Sequence, residues 1–134
     1  MYIYPDRDQK IRSILRECGQ QAQQLAAKPF EVSEKGPNDY VTSIDQYLDE
    51  QLSAAFYALF PEDGIITEEN AASKAAYRAN YQHLWCIDPL DGTEEFIQGK
   101  LHYAVMVGLL RDSEPVAGWI YAPAFDRMYF GGKD

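Results

Sequence analysis

Asp88 and Asp91 stand three positions apart in the string Trp85-Cys86-Ile87-Asp88-Pro89-Leu90-Asp91-Gly92-Thr93, straight after a short apolar run. Two carboxylates so spaced around a proline-stiffened exit can converge on one hard cation. Mg²⁺ takes oxygen ligands in octahedral array and accepts few carboxylates, completing its shell with water and phosphate oxygens. The backbone carbonyl of Leu90, between the aspartates, offers a further oxygen. Gly92-Thr93 then opens a short helix, Glu94 to Gln98, which Gly99 stops. Donors at a helix start favour a phosphate, and Gly92 lets the backbone come close to one. Any two-residue piece of this string reads better as a plain turn or cap, since Asp-Gly is a common turn pair and Asp91 or Thr93 suits an N-cap. The whole string, delivered by an apolar strand, points to chemistry.

Other candidates gain weight only beside it. Glu68-Glu69 follows the strand candidate Ile65-Ile66-Thr67. Alone it is a solvated acidic pair, but Glu68 supplies the additional carboxylate that a metal cluster needs. Asp45 suits the first turn of a helix, where the dipole favours an acid. Thr42 reads as well as a second cap as it does as a catalytic residue. Lys35, on a glycine-proline loop, is by default a solvated lysine. His83 and His102 are expected to be structural or exposed, because this chemistry needs no histidine base.

The elements that must carry these residues are legible in the pattern. Ile11, Ile14, Leu15, Cys18, Ala22 and Leu25 recur at helical steps between Pro5 and Ala27. Gly36-Pro37-Asn38-Asp39 marks Val32 to Tyr40 as a loop or hairpin tip. Ser43 and Gln46 fit a capping box ahead of a second helix that Pro61-Glu62-Asp63-Gly64 ends. Ala71 to Tyr81 reads as a short, polar helix. His83 to Ile87, Tyr103 to Leu110, Val116 to Tyr121 and Met128 to Phe130 read as strands parted by turn residues. Two helices ahead of hairpin-linked strands predict an α+β domain, with the helices on one face of a largely antiparallel sheet.

Bulk properties narrow the function. The 134 residues carry 46% apolar side chains, enough for one domain with a core. Lys and Arg number 12 against 21 Asp and Glu, a net charge of −9. Such a chain repels nucleic-acid backbones, yet a bound divalent cation inverts the field of a carboxylate cluster and admits a small phosphorylated substrate. Cys18 and Cys86 form no framework and are expected to be covered thiols in a reducing cytoplasm. No signal peptide or membrane span is expected.

The string Trp85-Cys86-Ile87-Asp88-Pro89-Leu90-Asp91-Gly92-Thr93-Glu94-Glu95-Phe96 resembles the signature D-P-x-D-G-T-x-x-F of the inositol monophosphatase superfamily. Thr67-Glu68-Glu69-Asn70 resembles that family's G-E-E-S/D segment, with Thr67 in place of glycine. Asp39-Tyr40-Val41-Thr42-Ser43-Ile44-Asp45 resembles its D-x-V-T-x-x-D segment. The resemblance implies the N-terminal half of a layered sugar-phosphatase fold and a Mg²⁺-dependent, lithium-inhibited phosphatase using two or three ions, with Mn²⁺ as a substitute. It assigns Glu68, Asp88 and the Leu90 carbonyl to a first metal, Asp88 and Asp91 to a second, and Glu68 also to a third. Thr93 paired with Asp45 would activate the attacking water. The Gly92 and Thr93 amides would hold the phosphate, and Lys35 would ride a mobile loop over the metals. Glu95-Phe96-Ile97 and Gly118 with Tyr121-Ala122-Pro123 resemble the 3′(2′),5′-bisphosphate nucleotidase branch, which implies 3′-phosphoadenosine 5′-phosphate as substrate; inositol 1-phosphate is the alternative. The family places another metal-binding Asp in a C-terminal substrate domain, for which this chain has no motif. The expectation is therefore a metal-binding domain, residues 1 to 134, weakly active or inactive alone. A non-catalytic interaction module is the rival reading, and the exposed side of the first helix is a candidate homodimer surface.

Overall fold

The computed structural model describes residues 5–67 and 81–132. Glu68, Glu69 and all but the last residue of the expected 71–81 helix lie outside the described residues. Helix α1 spans Pro5–Ala26 and buries Ile11, Leu15, Cys18 and Ala22, one stripe at three- and four-residue steps. Helix α2, Ser43–Leu59, buries Ile44, Leu48, Leu52 and Phe56 in the same way. Between them β1 (Val32–Gly36) and β2 (Asp39–Thr42) form a separate antiparallel hairpin. Asn38 at its tip has φ 59°, a left-handed conformation that asparagine tolerates.

Five further strands make one sheet: β3 (Gly64–Thr67), β4 (His83–Asp91), β5 (Ala104–Arg111), β6 (Glu114–Ala122) and β7 (Arg127–Gly132). They lie in sequence order, with β3 parallel to β4 and every later pair antiparallel. Strand alternation sends Trp85, Ile87, Val105, Val107, Trp119 and Tyr121 into the core shared with α1 and α2. The fold is the expected α+β layer. Helix α1 packs tightly at Gly19, where a Cβ would meet the Tyr121 ring at 2.6 Å and Pro123 at 2.8 Å. On the other face Cys86, Met106, Ile120 and Tyr129 help to line a trough of about 770 Å³ that reaches Asp88 and Asp91. Ile120 and Tyr129 keep 39% and 51% of their surface exposed there. Among the described residues no helix is long and apolar enough to cross a membrane.

One expected cap is corrected. Thr42, not Ser43, is the N-cap of α2: its backbone is extended at φ −109°, ψ 162°, and its hydroxyl accepts the Asp45 N–H. Asp45, not Gln46, closes the box by accepting the Thr42 N–H. The Ser43 hydroxyl is engaged elsewhere. It accepts the Glu31 N–H at 3.1 Å while the Ser43 N–H donates to the Glu31 carbonyl at 2.9 Å. That reciprocal pair closes the base of the hairpin that carries Lys35.

Cys18 is buried on α1 and Cys86 is half-covered on β4. Burial pushes the Cys18 thiol from its ordinary 9.0 up to about 12, and the neighbouring Glu17 charge adds to the shift. A folded-state pKa raised above the unfolded one gives stability that is complete below pH 9 and is lost on the way to about 12. Melting temperatures measured across that window should fall steeply for the wild type. In Cys18→Ala the limb should be flatter, from a lower starting value because a buried side chain is truncated. Parallel limbs would show that another group governs alkaline unfolding.

Candidate active site

The site grows from the end of β4. The expected strand, ending at Ile87 with Asp88 at its exit, is too short: β4 continues through Asp91. Asp88 pairs with Met106 and Asp91 with Ala104, so three steps along β4 face two along β5. The extra residue is a bulge at Pro89-Leu90, and it matters for chemistry. In a regular strand, residues three apart point to opposite faces; one inserted residue restores them to the same side. Asp88 and Asp91 accordingly line one cleft, of about 230 Å³. Proline, with no N–H to give the ladder, is well placed in such a bulge. The Leu90 N–H donates to Asp88 Oδ1 at 3.3 Å, which holds that carboxylate over the bulge.

Gly92 follows with φ 87° and caps the five-residue helix α3, Thr93–Ile97, one residue ahead of the expected Glu94 start. Its left-handed backbone disfavours any other residue, and a Cβ there would lie 2.8 Å from the His102 carbonyl oxygen. Gly92→Ala is therefore expected to cost about 2 kcal/mol or more. Urea denaturation would measure it, and a loss under about 0.5 kcal/mol, the usual range for surface changes, would contradict the close contact.

Thr93 then meets Asp45 across the fold. Its hydroxyl lies 3.1 Å from Asp45 Oδ1 and 3.1 Å from the Leu90 carbonyl oxygen. Asp45 is 0% exposed, so its carboxylate depends on the donors around it. Three converge: the Thr42 N–H at 2.7 Å and the Thr42 hydroxyl, both on Oδ2, and the Thr93 hydroxyl on Oδ1. The structure thus joins Asp45, Thr93 and Leu90 directly and places Asp88, Asp91, Gly92 and Lys35 around the same cleft. Glu68 falls outside the described residues. Asp39 and Glu95 also line the cleft, though the sequence reading gave neither a role. Glu95, three residues after Gly92 at the start of α3, is within reach of the glycine: its Oε2 is 3.4 Å from a Cβ built there. His102 is exposed beside the Phe125 ring, and His83 lies 3.8 Å from Asp63 at the far end of β4. Neither histidine lines the cleft.

The donor chemistry suits a hard cation. The cleft offers carboxylates and a carbonyl oxygen, with no thiol or imidazole on its wall. Among the described residues no three carboxylate, thiol or imidazole side chains gather closely enough to hold an ion by themselves.

The chain is 38% identical over 108 residues to a fructose-1,6-bisphosphatase/inositol-1-monophosphatase of Aquifex aeolicus, covering 79% of this chain and 39% of that protein. It is 34% identical over 125 residues to the 3′(2′),5′-bisphosphate nucleotidase CysQ of Haemophilus influenzae, covering 93% of this chain and 46% of that one. The chain thus spans about half, or less, of the length of these relatives. In three dimensions it superposes on the suhB extragenic suppressor protein of Bartonella henselae with a TM-score of 0.83 at 26% identity, over 93% of this chain and 48% of that one. Residues 7–134 match the inositol monophosphatase family. Bulge, capped carboxylate and hydroxyl thus sit on a fold and a sequence with shared ancestry, and the chain belongs to the inositol monophosphatase family.

Proposed function

We propose that this chain carries the reactive half-site of a Mg²⁺-dependent phosphate-monoester hydrolase acting on a small phosphorylated metabolite. The observation that carries the reading is the contact of the buried Asp45 carboxylate with the Thr93 hydroxyl, beside the Leu90 carbonyl and the Asp88–Asp91 bulge. Asp88, Asp91 and the Leu90 carbonyl would hold the cations, with Glu68 as the further ligand. Bound Mg²⁺ would supply an acidified water and neutralise charge on the phosphoryl oxygens.

The chain's own groups do the rest. A hydroxyl has one hydrogen to donate. With that hydrogen on Asp45 Oδ1, the Thr93 oxygen keeps lone pairs for a water O–H, so it orients the water for in-line attack. Asp45 holds the hydroxyl in that sense; as the water gives its proton to the Thr93 oxygen, the Thr93 hydrogen passes to Asp45 Oδ1. The amides of Gly92 and Thr93 would face the equatorial phosphoryl oxygens, where charge accumulates in the transition state. Lys35, at the tip of the hairpin on the cleft wall, would add positive charge on the substrate side.

The substrate we favour is 3′-phosphoadenosine 5′-phosphate, supported by Glu95-Phe96-Ile97 and by the likeness to the Haemophilus nucleotidase. The likeness to the Aquifex protein favours inositol 1-phosphate as the second reading. Phosphate release from both compounds, measured across a Mg²⁺ titration, separates them. Release from neither, together with Mg²⁺ binding that Asp88→Asn leaves unchanged, would sink the hydrolase reading and favour an interaction module.

A further inference from the structure

We propose that Thr42 is a positioning residue for the Asp45–Thr93 pair, setting which way the Thr93 hydroxyl points, and is not merely the cap of α2. Thr42 turns both its N–H and its hydroxyl on one neighbour. Its N–H and its hydroxyl both donate to Asp45 Oδ2, and its hydroxyl oxygen accepts the Asp45 N–H. The capping box accounts for the first and the last of these, and the hydroxyl's own donation to Asp45 goes beyond it. Two donors on one oxygen fix the plane of the carboxylate and leave Oδ1 as the acceptor for Thr93, at 3.1 Å. The Thr93 hydrogen has two acceptors within equal reach, Asp45 Oδ1 and the Leu90 carbonyl. One hydrogen cannot serve both fully, so the orientation of Asp45 decides between them.

Thr42 and Asp45 are 1% and 0% exposed, so solvent does not replace a lost donor. Without the Thr42 clamp the carboxylate turns toward whatever donors remain, and the Thr93 rotor goes with it. The effect passes from the hairpin's last residue through the first turn of α2 to the first residue of α3, 48 positions beyond Asp45. Its mechanistic consequence rests on the hydrolase reading, but the rotor measurement stands or falls without any turnover.

The test uses the 134-residue chain and nuclear magnetic resonance. In the wild type the Thr42 and Thr93 hydroxyl protons should exchange slowly enough to be seen, and the Thr93 three-bond coupling between the hydroxyl proton and Hβ should report one hydroxyl rotamer. Thr42→Ser keeps the hydroxyl and should keep that single rotamer. Thr42→Val keeps the shape without the polar atom and should average the Thr93 couplings over more than one rotamer. Leu52→Val is the control, because it trims a buried core residue away from Asp45. It should lower the melting temperature yet leave Thr93 in one rotamer. The proposal is overturned if Thr93 stays in one rotamer in Thr42→Val, or if Leu52→Val loosens it as much. Should Thr42→Val not fold, the wild-type and serine measurements decide: a rapidly exchanging Thr42 hydroxyl, or averaging in Thr42→Ser, overturns it too.

Discussion

Where the chain turns over substrate, Asp45→Asn is expected to lower kcat by about 10²- to 10⁴-fold, the range that a positioned proton-transfer group contributes, with KM changed much less. The carboxylate receives hydrogens on both oxygens, two from Thr42 and one from Thr93. A carboxamide of the same shape carries hydrogens on one end. If its NH₂ faces Thr42, it meets two donors; if it faces Thr93, the hydroxyl must accept and sends its own hydrogen to the Leu90 carbonyl. The second arrangement uses lone pairs that a water would otherwise occupy. It also places a hydrogen on an oxygen assigned to the cation. Either way the polar match in a site without solvent is lost, which costs roughly 1–3 kcal/mol of stability. Asp45 lines neither the cleft nor the trough, which is why substrate affinity should be spared. Steady-state kinetics at saturating Mg²⁺, with a melting curve for each variant, measure both quantities. A variant within a few-fold of wild-type kcat would remove Asp45 from the reaction.

Much of this arrangement is legible in the residue string, and the parts that are not have identifiable causes. Helices α1 and α2 are visible because apolar residues at helical steps must face a core. The aspartate string is visible because Pro and Gly punctuate it. The β4 bulge is not, because a bulge is defined by counting residues on two strands at once, and the partner count comes from Met106 and Ala104 on β5. The sequence offered a turn at Pro89; the ladder continues instead to Asp91. The choice of Thr42 over Ser43 as cap has a similar origin. Both are good caps on propensity, and the tie is broken by the hairpin, whose Glu31 N–H engages Ser43. The contact of Asp45 with Thr93 bridges 48 positions, and local pattern carries no information about it. Only the family resemblance paired those residues in advance.

Trp85→Ala should be the most destabilising of the single truncations considered, by about 3–5 kcal/mol, set against the 5–15 kcal/mol that holds a typical domain folded. The indole is 1% exposed at the centre of an aromatic cluster. It stacks on Phe60 at 4.5 Å and touches Phe56 and Trp119 at 5.2 and 5.8 Å between centroids. Its N–H donates to Asp63 Oδ2 at 2.9 Å, so truncation removes that donor as well as the ring. Phe130 provides the contrast. It contacts Trp119 at 5.1 Å but remains 38% exposed on the edge strand, so Phe130→Ala should cost markedly less. Urea unfolding of both variants gives the comparison, with equal slopes required before midpoints are converted to free energies. A Trp85 variant no less stable than the Phe130 one would move the core away from β4. The ranking bears on the site because Trp85 lies three residues before Asp88 on the same strand. The packing that holds the indole also fixes the strand on which the bulge is built. Loosening it should weaken cation binding even where the fold survives, whereas Phe130→Ala, three strands away on the edge strand β7, should weaken it much less.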